Sequence, residues 1–231
     1  MSPEPIVLAW SGGKDSALAL DRLRADPGVT VVSLLTTITG EYDRISIHGV
    51  RRALLYAQAA AVGLPLAEAV LPPSPDNAVY EAIFAEALAR LQEQHPGLIR
   101  VAFGDLFLAD LRAWREAQLA RLGMTAHFPL WGGPTDWLAL DLIARGFRPV
   151  ISTVSLAHLP ASFAGRAYDA ALLADLPPGV DPCGENGEFH TFVTDGPGFR
   201  WPVPIQRDAT VIREGVAYAD LLPANVKDEV A

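Results

Sequence analysis

The chain has 231 residues, half of them hydrophobic, a net charge of −9 and a single cysteine. Such a chain can bury a real core, which excludes a disordered polymer, while one cysteine excludes an internal disulfide and argues against a thiolate metal cage. The acidic balance disfavours a broad phosphate-binding face, so nucleic acid is a poor partner and a small molecule or a protein is the expected one.

No apolar run approaches the roughly 20 residues that a membrane helix requires. The opening "MSPEPIV" has neither a basic region nor an apolar signal core. A soluble cytoplasmic protein with no membrane partner is expected.

In chain order, Ile6–Trp10 reads as a short buried strand and Ala17–Leu23 as a helix. Val29–Ile38 is rich in β-branched residues between Gly28 and Gly40 and reads as a second strand. His48–Val62 has a helical pattern ending at Gly63, and Leu66–Leu71 fits a short strand. Asp76 is placed to cap a helix whose stripe is Val79, Ile83, Ala87, Leu88 and Leu91. Leu98–Phe103 is another strand, and Leu108, Leu111, Leu119 and Leu122 share a face of the helix after it. This alternation predicts an α/β fold, a parallel sheet with helices on both faces.

The texture changes after Trp131. "WGGPTDW" is a turn-rich joint, followed by a helix over Asp136–Arg145 and a strand over Val150–Val154. Short runs such as "GEFHTFV" and "ATVIREGVAYADL" then lie among Pro and Gly. We expect two domains, 1–131 and a smaller α+β domain over 132–231.

Ser11–Ser16, "SGGKDS", sits between the first strand and the first helix. Free N–H groups at a helix start, with the helix dipole, make an anion site. Gly12 and Gly13 let the backbone turn and approach a phosphate. Ser11 and Ser16 supply hydroxyls, Lys14 a positive charge, and Asp15 a carboxylate for magnesium or for capping. The spacing is neither that of G-x-x-x-x-G-K-[ST] nor that of G-x-G-x-x-G.

S-G-G-x-D-S resembles the PP-loop of ATP pyrophosphatases, which cleave ATP between the α and β phosphates. That resemblance implies a Rossmann-like sheet of the HUP type that binds ATP with Mg2+. The segments "FGDLFLADLRAWREAQLARLGMTAHFPLWG" and "CGENGEFHTF" are similar to those of the diphthine–ammonia ligase family, from Ser11 to about Val193. Members join ammonia to a carboxylate through an acyl-adenylate. Their late motif reads Glu-Gly-Gly-Glu-Phe-Glu-Thr; this chain has Asn186 at the second position and His190 at the sixth. The resemblance thus implies adenylation and amide formation and leaves the acceptor open.

Further candidates follow. Gly104-Asp105 ends a strand where α/β sites gather, and the resemblance tips it toward nucleotide or magnesium contact over an ordinary turn. His48 could touch phosphate or ribose, or be structural. Arg112 and Arg115 follow on a helix; at least one should be solvated. Trp131, Trp137 and Trp201 are expected to pack. Glu185, Asn186, Gly187 and Glu188 form an acceptor loop. On a strand Glu188 and His190 share one face, toward the ATP, and Phe189 and Thr191 the other. Cys183 fits a small buried thiol better than a sulfur-transfer nucleophile.

The reading is therefore an AMP-forming ligase using Lys14, Asp15, Glu188 and His190. Its partners are ATP, ammonia and a carboxylate-bearing small molecule or modified protein side chain, with a homodimer left open. Two alternatives stand beside it: a PP-loop tRNA-modifying enzyme and a non-catalytic adenine-nucleotide-binding regulator.

Overall fold

The computed structural model describes residues 2–45 and 49–224. His48 lies outside them. The chain divides into two compact units. The first comprises residues 1–11, 15–46 and 64–133, and the second residues 12–14, 47–63 and 134–231.

The first unit is built on β1 (Glu4–Ala9), β2 (Val29–Thr39), β3 (Arg44–Ile45), β4 (Leu66–Leu71), β5 (Arg100–Ala102) and β6 (Thr125–His127). β1 pairs in parallel with β2 and β5, β2 with β4, and β5 with β6. Among the described strands of this sheet only the two-residue β3 runs antiparallel, against the end of β2. β1 reads Ile-Val-Leu and is buried on both faces, as a central parallel strand should be.

Helices α1 (Lys14–Ala25), α3 (Asn77–Gln94) and α4 (Ala109–Ala120) flank this sheet. Asp76 caps α3, its carboxylate accepting the Val79 N–H at 2.8 Å. Phe84, Ala87, Leu88 and Leu91 of α3 then pack with Val7, Leu35, Val101, Phe103 and Leu119 in one apolar cluster. Burying each large side chain there contributes roughly 1.5–3 kcal/mol. The expected parallel α/β fold is present. β6 was not anticipated; "TAH" is too short and polar to announce a strand, and it forms because β5 offers an edge to pair with.

The second unit carries α2 (Arg52–Val62), α5 (Thr135–Ala144), α6 (Ala170–Asp175) and four strands. These are β7 (Pro149–Ser155), β8 (Phe189–Val193), β9 (Ile205–Arg213) and β10 (Val216–Pro223). They form an antiparallel sheet in the order β8-β7-β10-β9. "ATVIREGVAYADL" becomes the β9–β10 hairpin, turning through Glu214-Gly215, both at positive φ. α6, also unanticipated, is a single capped turn and a half, with Asp169 accepting the Leu172 N–H.

Two tryptophans correct the sequence reading. Trp137 and Trp201 were expected to pack, yet 53% and 50% of their surfaces are exposed. The helical pattern of α5 buries Leu138, Ala139 and Leu142, which turns Trp137 and Leu140 outward. Trp131 does pack, its ring centroid 5.7 Å from that of Phe128.

Candidate functional site

In the first unit, β1 delivers Ser11 and α1 carries Asp15 and Ser16 in its first turns. The Ser11 hydroxyl donates to Ser16 Oγ at 3.2 Å. Gly104, just past β5, is pressed against this turn. A Cβ there would stand 2.9 Å from the Asp15 carbonyl carbon and 3.0 Å from the Ser16 nitrogen. Gly104 thus lets two backbones meet, which requires glycine whatever else the residue does.

Asp105 has a structural partner. Arg115 donates from Nε to Oδ2 at 2.6 Å and from Nη2 to Oδ1 at 3.3 Å, a two-pronged ion pair shielded from solvent. Arg115 also lies over the Phe103 ring at 4.3 Å. Arg112 is the more solvated of the two, paired with Glu116 one turn on and stacked over Trp131.

In the second unit the rest of the loop, Gly12–Lys14, is tied to β8. Gly12 has φ +75°, a conformation that favours glycine. Its carbonyl accepts the Val193 N–H at 2.9 Å. The Lys14 N–H donates to Thr191 Oγ1 at 2.9 Å.

The Lys14 side chain is 3% exposed. Its Nζ donates to the Cys183 carbonyl and lies 5.9 Å and 5.7 Å from the Tyr168 and Phe189 ring centroids. Tyr168 is held in turn by donating to the Pro182 carbonyl at 2.7 Å. A cation so sheltered from water acts strongly on any charge brought near it.

His190 is neutral at physiological pH. Burial, and then the positive charge of Lys14, push its pKa down to about 4.

The face of β8 against Lys14 is not the expected one. Thr191 and Phe189 meet the lysine. Glu188, expected toward the ATP, precedes the strand and turns into its own loop. Its carboxylate accepts the Asp181 N–H at 3.0 Å, the Asn186 N–H at 3.0 Å and the Asn186 side-chain amide at 3.1 Å. Burial alone would raise its pKa. The hydrogen bonds from Asp181, from the Asn186 side chain and from the backbone of Glu188 and Asn186 outweigh that and lower it. A buried carboxylate so satisfied is a poor proton acceptor, so Glu188 is a loop lock. The remaining loop residues close the same knot: Glu185 N–H donates to Asp181 Oδ2 at 2.9 Å, and Gly187 N–H to the Gly184 carbonyl at 3.1 Å.

Cys183 is buried, and its thiol donates to the Thr135 carbonyl at 3.3 Å. A small packed thiol is what the sequence indicated. No motif marks Gln58 or Tyr168, and Thr191, expected on the face away from the ATP, instead accepts the Lys14 N–H. Gln58 left one trace, as the polar residue in the apolar run Leu54–Val62. Tyr168 carries none, since the Lys14 cation beside its ring lies far away in sequence.

Among the described residues no group of three or more His, Cys, Asp or Glu side chains gathers to hold a metal. Magnesium typically takes one or two carboxylates with water and substrate phosphates. In sequence Asp15 supplies one carboxylate between the two loop serines, the donor chemistry that an ion arriving with a nucleotide takes.

Fold and loop together define a class: a parallel α/β protein with a glycine-lysine loop after its first strand and an antiparallel C-terminal sheet. Models of the diphthamide synthase N-terminal and C-terminal domains match residues 5–126 and 134–220. The chain belongs to that family. It is 26% identical to a diphthine–ammonia ligase of Schizosaccharomyces pombe, over 82% of this chain and 34% of the yeast protein. The chain thus spans about a third of that relative's length. Among the described residues no helix is long and apolar enough to cross a membrane.

Proposed function

We propose that the chain is a cytoplasmic ATP-dependent ligase that adenylates a carboxylate and transfers ammonia to it, releasing AMP and pyrophosphate. The observation that carries this reading is the loop itself. Gly12 in a left-handed turn and a sheltered Lys14 cation open helix α1 immediately after a buried strand. Family membership and the ligase name of the yeast relative support the chemistry.

On this reading ATP's phosphates lie on the Ser11–Ser16 backbone N–H groups and Lys14, with Asp15 holding a magnesium ion that screens phosphate charge. A carboxylate oxygen of the acceptor attacks the α-phosphorus, the α–β bridge breaks, and pyrophosphate leaves with its electron pair. Lys14 and the loop N–H groups stabilise the charge developing on it. Ammonia then attacks the acyl carbon, AMP leaves, and the nitrogen loses a proton. His190, held neutral by burial and by Lys14, is the candidate group for positioning the acceptor and the ammonia beside it. The acceptor is a small carboxylate or a modified protein side chain.

The test is incubation with ATP, magnesium, an ammonium salt and a panel of carboxylates, with products separated by chromatography. AMP and pyrophosphate, dependent on both ammonia and one acceptor, support the reading. ADP and phosphate as main products overturn it. Tight ATP binding without turnover on any acceptor points to a regulator.

A further inference from the structure

Gln58 is fully buried, at 0% exposure, on the inner side of α2. A primary amide at such a depth must find partners. Its Nε2 donates to the Gly12 carbonyl at 3.0 Å and to the Val193 carbonyl at 2.6 Å. Val193 N–H donates to the same Gly12 carbonyl at 2.9 Å. The Gln58 Oε1 stands 2.6 Å from where a Cβ on Gly12 would be.

One carbonyl oxygen is therefore held from two sides. A peptide unit is planar, and its carbonyl and N–H point in opposite directions. Fixing the Gly12 oxygen fixes the direction of the Gly13 N–H. That N–H belongs to the glycine-lysine loop, where an anion is best held by N–H groups already aimed at it.

We propose that Gln58 is a positioning residue for the phosphates of ATP, acting through the Gly12 carbonyl to aim the Gly13 N–H and to keep Gly12 in its left-handed turn. The inference rests on the reading of Ser11–Ser16 as the phosphate site. It adds a helix of the second unit to the machinery of the loop and links the loop to β8 through one side chain.

Two variants test it. Gln58→Met keeps the length and removes the donor; Gln58→Glu keeps the shape and sets an acceptor against two carbonyls. Calorimetry on the full chain, without any acceptor, measures affinity for ATP, pyrophosphate and adenosine. Both variants should bind ATP and pyrophosphate roughly ten- to a hundredfold more weakly, the scale of one or two lost hydrogen bonds. Adenosine affinity should stay within about twofold, because adenosine has no phosphate to place. An equal loss for adenosine and pyrophosphate would mark Gln58 as merely structural and overturn the proposal. So would unchanged affinity for all three.

If neither variant folds, the wild-type protein still decides. The Gln58 side-chain amide signals, followed by NMR during a pyrophosphate titration, should shift along the binding curve, and no shift at saturation overturns the proposal. Wild-type protein that binds neither ATP nor pyrophosphate overturns the phosphate reading and this inference with it. Wild-type binding with unaffected variants overturns this inference alone.

Discussion

His190 illustrates how burial, reinforced by one charged neighbour, sets the behaviour of a residue. Its pKa is depressed from 6.5 to about 4 by burial and by Lys14. As pH falls, the unfolded chain takes up the proton first. The stability that neutral His190 contributes is full above about pH 6.5 and is lost progressively down to about pH 4. The shift corresponds to as much as ~3 kcal/mol. Denaturant midpoints measured from pH 4 to 7 should fall on acidification, and His190→Gln should flatten that slope. An unchanged slope in the variant would place the acid sensitivity elsewhere. Glu188 acts in a separate window. Its pKa is lowered, so its contribution is lost only below the ordinary carboxylate value of 4.5. Glu188→Gln keeps the shape but sets an amide donor against the Asp181 and Asn186 N–H groups, and should destabilise the loop by about 1–3 kcal/mol. A Tm unchanged by that substitution would sink the loop-lock reading. Cys183→Ser should keep most turnover, since the buried thiol donates to the Thr135 carbonyl, a bond that a serine hydroxyl can also make. A loss near a thousandfold, about 4 kcal/mol of barrier, would return the sulfur to the chemistry.

At the level of elements, Gly104 joins the end of β5 to the start of α1. Gly104→Ala would drive a Cβ into the Asp15–Ser16 peptide, and backbone yields far less readily than a side chain. We expect a loss of roughly 1–3 kcal/mol in urea unfolding, together with weaker ATP binding from a displaced first turn. Retained stability and retained ATP affinity together would refute the close approach. The same elements show what could be read from the sequence. The strand, loop and first helix were legible because Ile6–Leu8, Gly12-Gly13 and the helix pattern adjoin in the chain. Asp76 was legible because a cap and its target lie three residues apart. The alternation of "GEFHTFV" does not govern Glu188, because the strand starts at Phe189. Whether a carboxylate just before a strand faces a cleft or its own loop depends on turn geometry, here the folding of Asp181–Glu188 onto itself. Gln58 and Thr191 lie 46 and 177 residues from the loop positions they hold, and no local pattern announces such a pairing.

For the molecule as a whole, the charge of −9 bears on partners more than on fold. It predicts no retardation of bulk tRNA in a gel at moderate salt. A clear shift would favour a tRNA substrate over a carboxylate. The two units have distinct architectures, a mainly parallel sheet with flanking helices and an antiparallel sheet with short ones.

The second unit takes in residues 12–14 and 47–63 from the amino-terminal half of the chain. A cut between residues 133 and 134 would therefore strand α2 on the wrong fragment. Gln58 would lose Val193, Ala61 its bond from Arg200, and Arg51 its ion pair with Asp220. Buried Leu54, Leu55, Ala61 and Val62 would travel with the amino-terminal piece, away from the carboxyl-terminal partners of their helix. Two separately expressed halves should be insoluble alone and recover a native spectrum only when mixed. Each unit draws on separate segments of the chain, so gene fission at the midpoint would divide the second unit between two products.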